Sequence, residues 1–161
     1  MRLPIQTIHQ AIPEAIVARE ERHPKAGFLC GIAVENGHLV GTDRGEWGGE
    51  ITFYSDNLAP KVILKTNTRA IYQTPRGIYA VTGLAHLSGN SGLIYELKRD
   101  TSGKWKAESW RALPGAPRFS YLLKDGSLFV NCYSGMVLIS PDGEMKALTR
   151  EEVFGKTPPT K

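Results

Sequence analysis

The stretch Thr42-Asp43-Arg44-Gly45-Glu46-Trp47-Gly48-Gly49-Glu50 gathers the residue types that chemistry uses most. Arg44 and Trp47 belong to the types most enriched at binding hot spots, and three glycines leave the backbone free to shape a loop. On that reading Trp47 fills a partner's pocket while the acidic side chains orient a basic group. The plainer reading has Trp47 packed between layers of the fold and Asp43 and Arg44 joined in a structural ion pair. Asp43, Glu46 and Glu50 are also carboxylates that could serve acid/base chemistry. That work requires two of them around one bond with their pKa values pushed apart, which spacing alone does not establish. The alternation of Asp and Asn ligands ending in Glu that makes a calcium loop is absent, so no metal is expected.

The four histidines, His9, His23, His38 and His86, show no His-x-x-x-His or Glu-x-x-His clustering. His86 alone falls in a long connector, Gly83–Ser91, and is the histidine to place beside the carboxylates. The chain holds no Gly-x-Ser-x-Gly elbow, Walker loop or dinucleotide fingerprint, and no cofactor is expected. Cys30 and Cys132 sit in apolar strand-like runs about a hundred residues apart, read as buried thiols rather than a clamp or a redox pair.

These residues need elements to hold them. The 161 residues, 41% hydrophobic and 22% charged, fit one globular domain with a core of its own. No apolar run approaches the ~20 residues of a membrane helix. The start, Met1-Arg2-Leu3-Pro4-Ile5-Gln6, lacks the apolar core of a secretory signal, so the expectation is cytoplasmic, or periplasmic if a leader has been removed. Ile8, Ile12, Ala15 and Ile16 recur at helical steps within residues 5–23. Pro13 puts the helix start near Ile12 and His23-Pro24 its end, with the Ile12/Ile16 face docked on the β-sheets of the remaining chain.

From Gly27 the period changes to two. Gly49-Glu50-Ile51-Thr52-Phe53-Tyr54, Gly92-Leu93-Ile94-Tyr95-Glu96-Leu97 and Gly135-Met136-Val137-Leu138-Ile139 are one pattern met three times, the glycines 43 residues apart. Around each, turn signals such as Asn36-Gly37 and Asp125-Gly126 mark four short strands, in units 27–66, 67–113 and 114–150. A short amino-terminal helical segment precedes them, and a polar tail, 151–161, ends the chain. The fold expected is mostly β: three consecutive antiparallel four-stranded meanders, with a β-sandwich as the rival arrangement.

Four strands per unit with glycines at fixed offsets resemble the blades of a β-propeller. The likeness covers residues 27–148 and is one of rhythm. Neither the Trp-Asp dipeptide of one propeller class nor the paired glycines of kelch repeats stands at matching positions. Propellers typically close with four or more blades. Three units therefore either remain open, with the helix and tail covering what is exposed, or pair with a second copy into a six-bladed homodimer. The resemblance implies that the loops between second and third strands, and those between units, share one ligand face. That face would carry Asp43, Arg44, Glu46 and Trp47, then His86, Ser88, Asn90 and Ser91, then Asn131, Tyr133 and Ser134, with Asn67, Arg69 and Arg118 between.

Charge is unevenly spread. Residues 27–66 carry three basic and five acidic groups, whereas 67–113 carry seven basic and three acidic. Lys98, Arg99, Lys104, Lys106 and Arg111, near Trp105 and Trp110, invite a nucleic-acid reading, but no matching fold signature accompanies them, and lysines on an outer strand protect a sheet edge. The expected function is therefore non-enzymatic protein binding through the loop face, in the manner of small bacterial inhibitor or immunity proteins that neutralise a toxin or hydrolase. Its contact residues would be Asp43, Arg44, Glu46, Trp47, Glu50, His86, Asn90, Arg118 and Tyr133. The alternatives are a small hydrolase or lyase using those carboxylates with His86 in a cleft, and a carbohydrate-binding module stacking sugars on Trp47, Trp105, Trp110 or Tyr133.

Overall fold

The structure, a computed structural model, describes residues 12–25 and 27–155. Helix α1 (Glu14–Glu21) leads into sheet 1, made of β1 (Phe28–Val34), β2 (Gly37–Asp43), β3 (Ile51–Ser55) and β4 (Pro60–Leu64). Sheet 2 is β5 (Thr68–Thr74), β6 (Gly77–His86), β7 (Gly89–Arg99) and β8 (Trp105–Leu113). Sheet 3 is β9 (Pro117–Leu122), β10 (Leu128–Cys132), β11 (Gly135–Ile139) and β12 (Met145–Leu148), and helix α2 (Arg150–Phe154) comes after it. In each sheet the strands lie in chain order and every pairing is antiparallel. The protein is thus three meanders in succession, and the sheets do not close on one another. None of the described helices is long and apolar enough to cross a membrane.

The sheets form an open stack. Cys30, Ile32, Leu39 and Ile51 of sheet 1 meet Ile71, Ala80 and Leu97 of sheet 2 in one core cluster. Tyr79, Val81 and Ile94 of sheet 2 meet Leu128, Val130, Val137 and Ile139 of sheet 3 in the next. Sheet 2 is covered on both faces, so β6 buries Tyr79, Ala80, Val81 and Thr82 in succession instead of alternating. The outer faces are closed by helices. Ile16 of α1 packs on Val40 and Tyr54, with Ile12 alongside, and Val153 of α2 packs on Leu123 and Phe129. Burying a side chain such as Ile16 contributes about 2 kcal/mol.

The repeated glycine has a physical reason. A Cβ on Gly49 would lie 2.2 Å from the Thr42 carbonyl oxygen and 2.7 Å from Oδ1 of Asn67, in the connection to sheet 2. A Cβ on Gly92 would lie 2.3 Å from the carbonyl oxygen of Gly115, in the connection to sheet 3. At both positions the third-strand segment passes closely to the connection that leads to the next sheet, and only glycine leaves room. Gly135 has no following sheet, and nothing lies within 4 Å of its added Cβ.

Two segments depart from the sequence reading. The connector expected over Gly83–Ser91 is a ribbon: β6 and β7 stay paired through Leu84↔Ser91, Ala85↔Asn90 and His86↔Gly89, turning on Leu87 and Ser88. The expected tail begins as α2, whose capping box joins the Thr149 side chain to the Glu152 N–H and the Glu152 carboxylate to the Thr149 N–H. The remainder of that tail, 156–161, and residues 5–11 of the expected helical stretch lie outside the described residues. Both cysteines are free and buried; burial pushes the Cys30 thiol up to about 12 and that of Cys132 to about 11, so neither ionises near neutral pH.

Candidate functional site

The three loops joining second to third strands, and the connections between sheets, meet at one end of the stack. Hydrogen bonds stitch them together. The Asn67 side chain accepts from the Arg44 N–H at 3.2 Å and donates to the Gly45 carbonyl at 2.8 Å, while its own carbonyl accepts from the Gly83 N–H at 3.0 Å. Asn90 does the corresponding work one sheet along. It accepts from the Ala116 N–H at 2.7 Å and donates to Ser134 Oγ at 2.6 Å. One asparagine at each boundary thus fixes a loop of one unit against the next.

The first loop is a 3-10 turn, Gly45–Trp47, entered and left through glycines with positive φ, 60° at Gly45 and 82° at Gly48. Those values are open to glycine and costly to most other residues. The turn is anchored by Asp43, which is buried; its Oδ1 accepts from the Gly45 N–H at 2.9 Å and its Oδ2 pairs with Arg69 Nε at 2.5 Å. Arg44 reaches in the opposite direction, to Glu20 of α1 at 2.7 Å, with the two side chains 9% and 12% exposed. The Tyr54 hydroxyl donates to the other oxygen of Glu20 at 2.5 Å, and burial together with that carboxylate holds the phenol well above its usual range. The ion pair expected between Asp43 and Arg44 does not form. Each is spent on a partner distant in sequence, Asp43 across to sheet 2 and Arg44 across to α1.

Trp47 does not pack between sheets. It stands 60% exposed, and Lys25 Nζ lies over its ring at 4.4 Å from the centroid. Tyr133, from the third loop, is 57% exposed with the Arg118 guanidinium 4.8 Å above its ring. Between them rises the tip of the β6–β7 ribbon, where Leu87 is 94% exposed at φ 52°. Leu87 and Lys25 are the two face residues that sequence reasoning missed. A lone leucine in a Ser/Gly/Asn-rich connector was the available signal for the first.

Of the four groups offered for acid/base chemistry, Glu46 and His86 come together, Nε2 to Oε2 at 3.3 Å on the surface. Asp43 is engaged by Arg69, and Glu50 accepts from the Thr52 hydroxyl at 3.2 Å. A groove of about 480 Å³ runs between Trp47 and the ribbon, past Glu50, Lys65, Asn67 and Ser91. Among the described residues no group of three His, Cys, Asp or Glu side chains is placed to hold a metal ion.

The basic residues of β7 and β8 lie away from this face and are mostly paired. Lys98 meets Glu108 at 2.6 Å, Lys106 meets Asp100 at 3.1 Å, and Arg111 Nε donates to the Gly143 carbonyl at 2.7 Å. No family model, curated protein or solved structure matches the chain.

Proposed function

We propose that the chain is a non-enzymatic binding protein of the inhibitor or immunity type, engaging a toxin or hydrolase through its loop end. One observation carries this reading. Each of the three second-to-third-strand loops presents one large apolar side chain to solvent, Trp47, Leu87 and Tyr133, on loops tied into the fold by the Asn67–Gly45 and Asn90–Ser134 hydrogen bonds and by the paired ends of β6 and β7. Three exposed anchors on a preorganised surface suit a protein target, because little ordering cost remains on binding. Lys25 and Arg118, laid over two of the rings, add positive charge that favours an acidic epitope. The carboxylates support the same conclusion, since Asp43, Glu46 and Glu50 already have partners within the fold.

The test mixes the purified chain with the protein encoded next to it and measures both binding and residual hydrolytic activity of that protein. Trp47→Ala should weaken binding by about 2 kcal/mol, roughly 30-fold in Kd, as a buried aromatic anchor does. Tyr133→Ala should act in the same direction. If the double variant binds and inhibits as well as the parent, the loop end is not the contact surface.

A further inference from the structure

A second surface lies away from the loop end. We infer that the cleft between β4 and β8 receives an acidic, extended segment of another protein, added as a strand. β4 is the last strand of sheet 1 and β8 the last of sheet 2, so each has a paired neighbour on one side only. Alternate backbone N–H and C=O groups of each therefore point away from its sheet. The two strands run beside one another, and the space between them is about 270 Å³. Its floor is apolar, with Phe53, Ile63 and Trp105, and Val62 is 48% exposed.

Charge selects the occupant. Lys61, Lys104 and Lys106 line the cleft against a single acid, Glu108, which is held by Lys98. Lys106 is shared with Asp100, while the side-chain ammonium groups of Lys61 and Lys104 make no ion pair among the described residues. Lysines on an edge repel neutral and basic strands that would otherwise add to it, and the same lysines favour a strand bearing carboxylates. β4 has five residues, which matches an incoming segment of about five or six at ~3.3 Å per residue. A nucleic-acid strand is the poorer fit. It would stack bases on Trp105, but the Arg99 guanidinium already lies 4.9 Å from that ring's centroid and Phe53 lies 6.0 Å from it.

The test titrates a fluorescein-labelled peptide of alternating Glu and Val into the intact chain and monitors anisotropy. Saturable binding below about 1 mM is expected, weakening with salt as exposed charge pairs do. Lys61→Glu/Lys104→Glu, on exposed side chains, should weaken it by about tenfold or more while circular dichroism stays unchanged. The same peptide methylated on alternate backbone nitrogens should lose binding, because strand addition depends on those N–H groups. Trp47→Ala should leave it unaffected, which separates this surface from the loop end. The inference is overturned if the peptide does not bind, if charge reversal or backbone methylation leaves its Kd unchanged, or if oligothymidylate binds here more tightly.

Discussion

Leu87 carries a side chain that its backbone conformation disfavours. At φ 52° leucine costs about 1 kcal/mol more than asparagine or glycine, and with 94% of it exposed no packing repays that cost. Leu87→Asn should therefore stabilise the fold by about 1 kcal/mol, raising Tm by about 2 to 4 °C in calorimetry, while weakening partner binding. An unchanged or lower Tm would mean that the leucine is structural. Glu20 is the opposite case, a residue whose removal leaves a neighbour stranded. It neutralises a nearly buried Arg44 and accepts from Tyr54. Glu20→Ala should cost about 3 kcal/mol in urea unfolding, because the guanidinium is then left in a poorly solvated site. Replacing both Glu20 and Arg44 by apolar residues should recover much of that loss. If the double change is as damaging as the single one, the charge pair is not the cause.

α2 shows how five residues become an element. Its own length is far below what a free helix needs, so it depends on the capping box and on Val153 seated beside Phe129. Thr149→Ala should cost about 1 kcal/mol and lower the amide protection of α2 before that of the sheets. Lys146, with the backbone and side chain of Thr149, lowers the Glu152 carboxyl to about 2. A depressed folded-state pKa means that its stabilisation is present above about pH 4.3, the unfolded value, and disappears as pH falls toward 2. Exchange protection in α2 should fall through that window, and Glu152→Gln should flatten the dependence. The sequence shows this element only as Thr149-x-x-Glu152, since five residues are too few for a helical period. The alternating strands and the Ile12/Ile16 face were legible because one side of each is buried. The ribbon over Gly83–Ser91 was not, because both of its faces meet solvent and burial imposes no alternation on it. The site was legible as a loop end but not as contacts. Asp43 and Arg44 are neighbours in the chain, and their partners, Arg69 and Glu20, come from different elements that only the folded stack brings near.

At the scale of the molecule, a stack of sheets has two ends, and each end face is apolar. Sheet 1 would present Val40 and Tyr54, and sheet 3 would present Phe129 and Leu138, if nothing lay on them. A six-bladed assembly of two copies would join those faces, sheet 1 of one copy against sheet 3 of the other. α1 and α2 occupy them instead, so closing such a ring requires both helices to leave, forfeiting about 2 kcal/mol for each buried anchor such as Ile16 and Val153. With both helices seated on these faces a single chain is the expected species, and sedimentation equilibrium should give a mass of 17.7 kDa at about micromolar concentration. Val153→Asp should reverse the balance, because a charge under α2 lifts the helix and uncovers Phe129 and Leu123. That variant should bind the dye ANS and gain mass with concentration, whereas Glu151→Gln, which alters charge on an exposed side chain of the same helix, should do neither. A wild-type mass twice that of the chain, with both helices shown by exchange to be unprotected, would establish the closed pair of copies instead.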